Sequence, residues 1–188
     1  MSGIEDNKEL FKKIVSENIK RDGIDKLMRW LETTDFYTSP ASTRFHGSEP
    51  GGLCAHSLAV YDYLKSFQED ESDESIAIAA LFHDLCKANL YKVSMRNTKD
   101  ENGKWIQVPY YETDFSSVPL GHGEKSLYLL SRFIKLSLDE ALAIRWHMAS
   151  YYAKNPQEEG FLNAALEQSK LVLKLQTADS AASFWSKK

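Results

Sequence analysis

Apolar residues at Leu10, Ile14, Ile19, Ile24, Leu27, Trp30 and Leu31 recur at near-helical spacing, which predicts one or two helices over residues 7 to 33. The pattern then breaks. Residues 34 to 52 are rich in Ser, Thr, Pro and Gly and read as a loop feeding a helix that starts near Leu53. In that helix, about residues 53 to 67, Leu53, Val60 and Leu64 share one side. His56 lies three residues from Leu53 and four from Val60, so its imidazole points inward. The acidic stretch QEDESDES, residues 68 to 75, reads as a solvated turn whose carboxylates suit the first turn of the next helix. That helix, in the segment IAIAALFHDLCK, is nearly all apolar up to His83, as expected of a helix buried on most sides.

Between residues 91 and 112 the period changes. YKVSM and WIQVPYYE carry β-branched and aromatic residues around RNTKDENGK with its Asn-Gly turn signal, which predicts a small β-hairpin. Helical spacing resumes over Gly121 to Ile134 and Ser137 to Tyr152, where Ser137 and Glu140 make a capping box. After KNPQEEG, residues 154 to 160, one last helix is expected from about Phe161 to Phe184, burying Leu166, Leu173 and Ala178 or their neighbours. The fold class is therefore all-α with one inserted hairpin. At 188 residues the chain reads as one domain, residues 1–188, with N-terminal helices over 1–40 and a helical core over 44–184.

Composition narrows the function. A net charge of −4 gives no global pull toward nucleic acid or anionic membrane. No run approaches the ~18 apolar residues of a membrane span, and the N-terminus lacks the apolar core of a secretory signal, so a soluble cytoplasmic protein is expected. Cys54 and Cys86 are too few for a disulfide scaffold and read as reduced, packed thiols.

Of the five histidines, four join two aspartates in an ordered series: His56, the pair His83-Asp84, His122, His147 and Asp179. Divalent metals of borderline softness take imidazole and carboxylate ligands, so the series can build a site for one or two ions. A helix as apolar as IAIAALF ends in His-Asp only if both side chains are compensated, because a buried unpaired carboxylate costs several kcal/mol. A cation is one compensation; an Arg or Lys is the other. Asp179 lies among small residues in QTADSAAS, where either a close helix approach or a surface cap would suit it.

The order His, His-Asp, Asp in AHSLAV, ALFHDLCK and TADSAA resembles the HD superfamily of metal-dependent phosphohydrolases, an all-α helical fold. More narrowly, RFHGSEPGGLCAHSLAV, ALFHDLCK and PLGHGEKS look like the HD domain of bacterial 3′→5′ exoribonucleases and of relaxase-associated HD proteins. The resemblance implies that His56, His83, Asp84 and Asp179 bind a first metal. It implies a second for His122 and His147, with Asp84 bridging. It also implies a catalytic or substrate role for Lys87 and for His46, which match positions of the pattern. The nucleic-acid-binding OB module that accompanies the exoribonuclease domain has no counterpart ahead of Arg44, so no stable nucleic-acid complex is expected.

Phosphoester hydrolysis suits this set, since one or two divalent ions (Mn, Fe, Co, Ni, Zn or Mg) acidify water and neutralise phosphoryl oxygens. Lys87 can hold a phosphate oxygen as a point charge, and Arg44 and Arg145 can clamp phosphate bidentately or pair with acidic residues. The hairpin, rich in Tyr and Trp, is either a packing flap or a pocket wall that stacks on a base. The expectation is a hydrolase of a small phosphorylated substrate, a nucleotide or short oligonucleotide, with oligomeric state open. Two alternatives stand beside it: a di-iron oxygenase with the same six-ligand arrangement, marked by O₂ consumption, and a nucleotide-binding module without catalysis.

Overall fold

The structure is a computed structural model, and it describes residues 3–43, 47–114, 118–151 and 153–185. Two N-terminal helices, α1 (Ile4–Asn18) and α2 (Ile24–Leu31), precede the loop. They are followed by α3 (Gly52–Ser66) and α4 (Asp73–Phe82), then by a 3-10 turn over Leu85–Lys87. Strands β1 (Tyr91–Lys99) and β2 (Trp105–Thr113) form the hairpin. The remaining helices are α5 (His122–Ser131), α6 (Leu138–Trp146), α7 (Pro156–Gln168) and α8 (Lys170–Trp185). The all-α class with an inserted hairpin is what the sequence pattern predicts.

Helix α4 is the axis of the packing. Every residue from Ile76 to Phe82 is fully buried, because its apolar surface is used on both sides. On one side Ala77, Ile78, Leu81 and Phe82 join residues of α1, α2, α3 and α5. Phe11, Phe36, Tyr37 and Phe82 meet there edge to face, with Phe11 5.3 to 5.7 Å from the other three rings. On the other side Ile76, Ala79 and Ala80 join α3, α6, α7 and α8. Each large side chain so buried contributes about 1.5–3 kcal/mol.

The helix starts are capped as their sequences dictate. Ser72 Oγ accepts the Ser75 amide, Ser137 and Glu140 form the expected capping box, and Asn155 Oδ1 accepts two amides ahead of Pro156. Glu140 does more than cap. Fully buried, it also accepts from Ser75 Oγ (2.8 Å) and from Arg21 Nη1 (2.5 Å), tying the starts of α4 and α6 to the segment before α2.

The structure differs from the sequence reading in several places. The apolar run through HDLCK is not one helix: α4 ends at Phe82, and Asp84 leaves helical geometry (φ −100°, ψ 20°) before the 3-10 turn. The last helix is two, broken at buried, extended Ser169 (φ −141°, ψ 117°). Leu173, expected inside, is 58% exposed. The strands run through RNTK to a turn at residues 100–104, where Gly103 takes φ +77° and Asp100 Oδ1 accepts two amides.

The hairpin pairs Tyr91 with Thr113 through Lys99 with Trp105, and its base is closed by the Asp114 amide donating to the Leu90 carbonyl (2.7 Å). Val93, Met95 and Trp105 are all more than half exposed, so the hairpin projects from the helices and buries neither face. The packing flap that its composition suggested is not what forms.

Candidate metal centre

Four histidines and two aspartates converge where five segments meet: the middle of α3, the end of α4, the start of α5, the end of α6 and the middle of α8. His83 caps the C-terminus of α4 and His147 that of α6. Both use one device. The final turn of a helix leaves carbonyls without intrahelical donors. His83 Nδ1 donates to the Ala80 carbonyl and His147 Nδ1 to the Ile144 carbonyl, each at 2.8 Å. This fixes the tautomer of each neutral ring, in which Nε2 carries the lone pair. Both Nε2 atoms are buried and without a hydrogen-bond partner. A buried acceptor left unpaired is costly, and two aimed at one point call for a shared electrophile.

Asp84 lies at that point. Its Oδ1 is 2.7 Å from His122 Nε2 and 3.6 Å from His147 Nε2. Its Oδ2 is 3.4 Å from His83 Nε2, 3.9 Å from His56 Nε2 and 2.6 Å from Lys87 Nζ. Asp179 completes the other side, with Oδ1 3.0 Å from His56 Nε2 and 4.0 Å from His83 Nε2. Three trios, His56/His83/Asp179, His83/Asp84/His147 and Asp84/Cys86/His122, each bring their ligand atoms within 4.8 Å of one another. The clustered imidazole and carboxylate atoms, with the unpaired Nε2 atoms among them, fit the donor set of a divalent cation. His122 Nε2 donates to Asp84, so that nitrogen would give up its proton on binding.

The helix break at Asp84 is what lets the doublet act together. Adjacent residues within an α-helix diverge by about 100°. Leaving the helix after His83 turns the Asp84 carboxylate back toward the His83 ring. His122 is placed by its neighbour Gly123: a Cβ there would come 2.2 Å from the Arg145 carbonyl oxygen, so α5 and α6 approach closely beside the centre.

The electrostatics are those of a buried charge cluster. Burial alone would raise Asp84, but Lys87, His83 and His122 outweigh it and hold its carboxyl well below the usual range. Asp179 is likewise lowered, with burial opposed by the His56 hydrogen bond and by His83. Burial lowers His56 and His122, while in His83 the two carboxylates overcome burial and raise it. Lys87 is raised: burial lowers it, and contact with Asp84 more than compensates, so it carries its charge at neutral pH.

The centre opens on a cleft of about 600 Å³ whose walls include Asp84, Lys87, His147, Asp179 and a stripe of α8. Arg145, expected to clamp phosphate, pairs with Glu124 (2.5 Å) and stacks over Trp146 (4.0 Å), and it is not among the cleft-lining residues. No hairpin residue lines the cleft either, so the base-stacking wall expected of it is not seen among the described residues. Arg44 and His46 lie outside the described residues. Cys86, read from the sequence only as a packed thiol, has Sγ 3.3 Å from His122 Nδ1, and burial pushes its pKa up to about 12. Its place two residues after Asp84 was the available signal.

Fold and site together define a helical protein with a buried His/Asp centre of metal-ligating chemistry, reached by an open cleft. The family model of the HD domain matches residues 53–182, from the first turn of α3 into α8, and the chain belongs to that family, whose members are generally metal-dependent phosphohydrolases. No curated protein and no solved structure matches the chain. Among the described residues no helix is long and apolar enough to cross a membrane.

Proposed function

We propose that the protein is a metal-dependent phosphoric ester hydrolase acting on a nucleotide or short oligonucleotide. The observation that carries this reading is the pair of buried, unpartnered Nε2 atoms of His83 and His147 aimed at Asp84, beside a charged lysine on the wall of an open cleft. His56, His83, Asp84 and Asp179 would hold one divalent cation, and His122 and His147, sharing Asp84, a second. Such cations acidify water and neutralise phosphoryl charge.

The protein's own side chains do the rest. Asp84 accepts from His122, and the Ala80 and Ile144 carbonyls orient His83 and His147. Lys87, on the cleft wall, offers its ammonium to a phosphoryl oxygen once its carboxylate partner has another counter-charge. A nucleotide-type substrate is supported by the flanking motifs RFHGSEPGG and PLGHGEKS, which are similar to those of exoribonuclease and relaxase-associated HD proteins.

The test is elemental analysis of anaerobically purified wild type beside His122→Ala, followed by phosphoester hydrolysis with added Mn²⁺. About two equivalents of metal falling to about one, with anaerobic hydrolysis, is the expected result. Absence of metal even after reconstitution would overturn the reading. So would turnover that requires iron and consumes O₂ without releasing phosphate.

A further inference from the structure

The cleft is elongated along one face of α8. Leu173, Gln176, Thr177, Ser180, Ser183 and Phe184 recur at three- and four-residue steps, a single stripe about 16 Å long at 1.5 Å per residue. Asp179, at the centre, falls inside this span, roughly 9 Å of helix after Leu173 and roughly 7.5 Å before Phe184. The two ends of the stripe are apolar and unusually open: Leu173 is 58% exposed and Phe184 77%. Between them the stripe is hydroxyl and amide. Gln176 donates to the Trp146 carbonyl (3.0 Å), pinning α8 to the end of α6 beside His147.

A phosphomonoester has one organic group and a doubly charged end. It needs apolar surface on one side of the phosphorus only. This cleft offers apolar surface on both sides of the centre, at Leu173 and at Phe184. A phosphodiester carries one negative charge and an organic group on each side, which matches that distribution. The volume is within the roughly 300–1,000 Å³ of clefts that take extended small molecules.

Building on the phosphohydrolase reading above, we propose that Leu173 and Phe184 are two specificity subsites, one on either side of the centre along α8, which grip the two organic groups of a phosphodiester. Phe184 provides a ring face for a base or other flat group. Leu173 packs against the second group.

The test compares bis(4-nitrophenyl) phosphate with 4-nitrophenyl phosphate as substrates of the Mn²⁺-loaded full chain. Variants are Leu173→Ala, Phe184→Ala and a control, Trp185→Ala, whose ring meets Tyr63 and does not line the cleft. Both subsite residues are exposed, so their variants fold. The expected result is that wild type favours the diester and that each subsite variant lowers the diester-to-monoester ratio of kcat/KM by about tenfold through KM, as loss of a stacking or packing partner predicts. The control keeps the ratio.

In parallel, calorimetry measures binding of dithymidine phosphorothioate and of thymidine monophosphate, a readout that needs no turnover. The dinucleotide is expected to bind more weakly to both subsite variants. Preference for the monoester, or an unchanged ratio in both variants, overturns the proposal. If neither ester is hydrolysed, the hydrolase reading fails and calorimetry alone decides: weaker dinucleotide binding in the variants upholds the subsites, and equal binding removes them.

Discussion

Gly123 is the position where one methyl group separates the two halves of the centre. Its Cβ would stand 2.2 Å from the Arg145 carbonyl oxygen, whereas ordinary contact begins at 3.4 Å. In Gly123→Ala, α5 and α6 must therefore part by roughly 1 Å, an overpacking that costs about 1–3 kcal/mol. The displacement falls on the residue beside His122. A shift of that size takes His122 Nε2 from 2.7 Å to beyond hydrogen-bond range of Asp84 Oδ1. His56, His83 and Asp179 sit on other elements and keep their places. The expected phenotype is selective: a lower melting temperature without metal, loss of about one equivalent of bound cation, and retention of the other. Melting curves and metal titration of wild type and Gly123→Ala read this directly. An unchanged melting temperature with two cations held at wild-type affinity would refute both the packing argument and the assignment of His122 to a separate cation position.

Three further outcomes follow from the same structure. Lys87→Met removes the ammonium paired with Asp84 and leaves the buried carboxylate with the His122 hydrogen bond in place of a full counter-charge, so without metal the variant is expected to lose about 3 kcal/mol in urea unfolding. Added Mn²⁺ should restore most of that loss, and an equal deficit with and without metal would count against the shared-charge reading. For Glu74, burial is outweighed by the Lys20 amide and Arg21, which lower its folded pKa. Its contribution is then present above the unfolded value of about 4.3 and lost as pH falls through the folded one. Glu74→Gln should be less stable than wild type at pH 7 by under about 1 kcal/mol and converge with it only once pH has fallen below the lowered folded value, as read by unfolding across pH. Replacing residues 92–112 with a short Gly-Ser turn should leave melting temperature and metal content near wild type, since the hairpin buries neither face; a collapse of either would show that it supports the helices.

Much of the centre was legible because its residues obey local rules. His56 lies between Leu53 and Val60 at helical spacing, and Ser137 with Glu140 announces the start of α6. What escaped was where helices stop. Leu81, Phe82 and Leu85 keep a helical period across the point at which Asp84 leaves the helix, so periodicity carries no sign of the break. LEQSKLVLK does the same across Ser169, where the backbone turns extended. The exposure of Leu173 is hidden because it stands among Leu171, Val172 and Leu175, whose closely spaced apolar side chains blur which face of α8 opens on the cleft. The strand ends were missed for the opposite reason: a hairpin that buries neither face needs no alternation, and RNTK joins β1 despite being polar.

The order in which the ligands appear along the chain has a consequence for synthesis. The first, His56, emerges early, and the last, Asp179, lies on the final helix. A ribosome adding about 5–20 residues per second completes both apolar layers around α4 only when α8 is released. Until then His56 and His83 face an unfinished cavity, and a nascent or truncated chain offers them no Asp179. Occupancy of the centre thus depends on α8 being in place: a cation held by both His56 and Asp179 would clasp α8 to α3 and close the long stretch of chain between them.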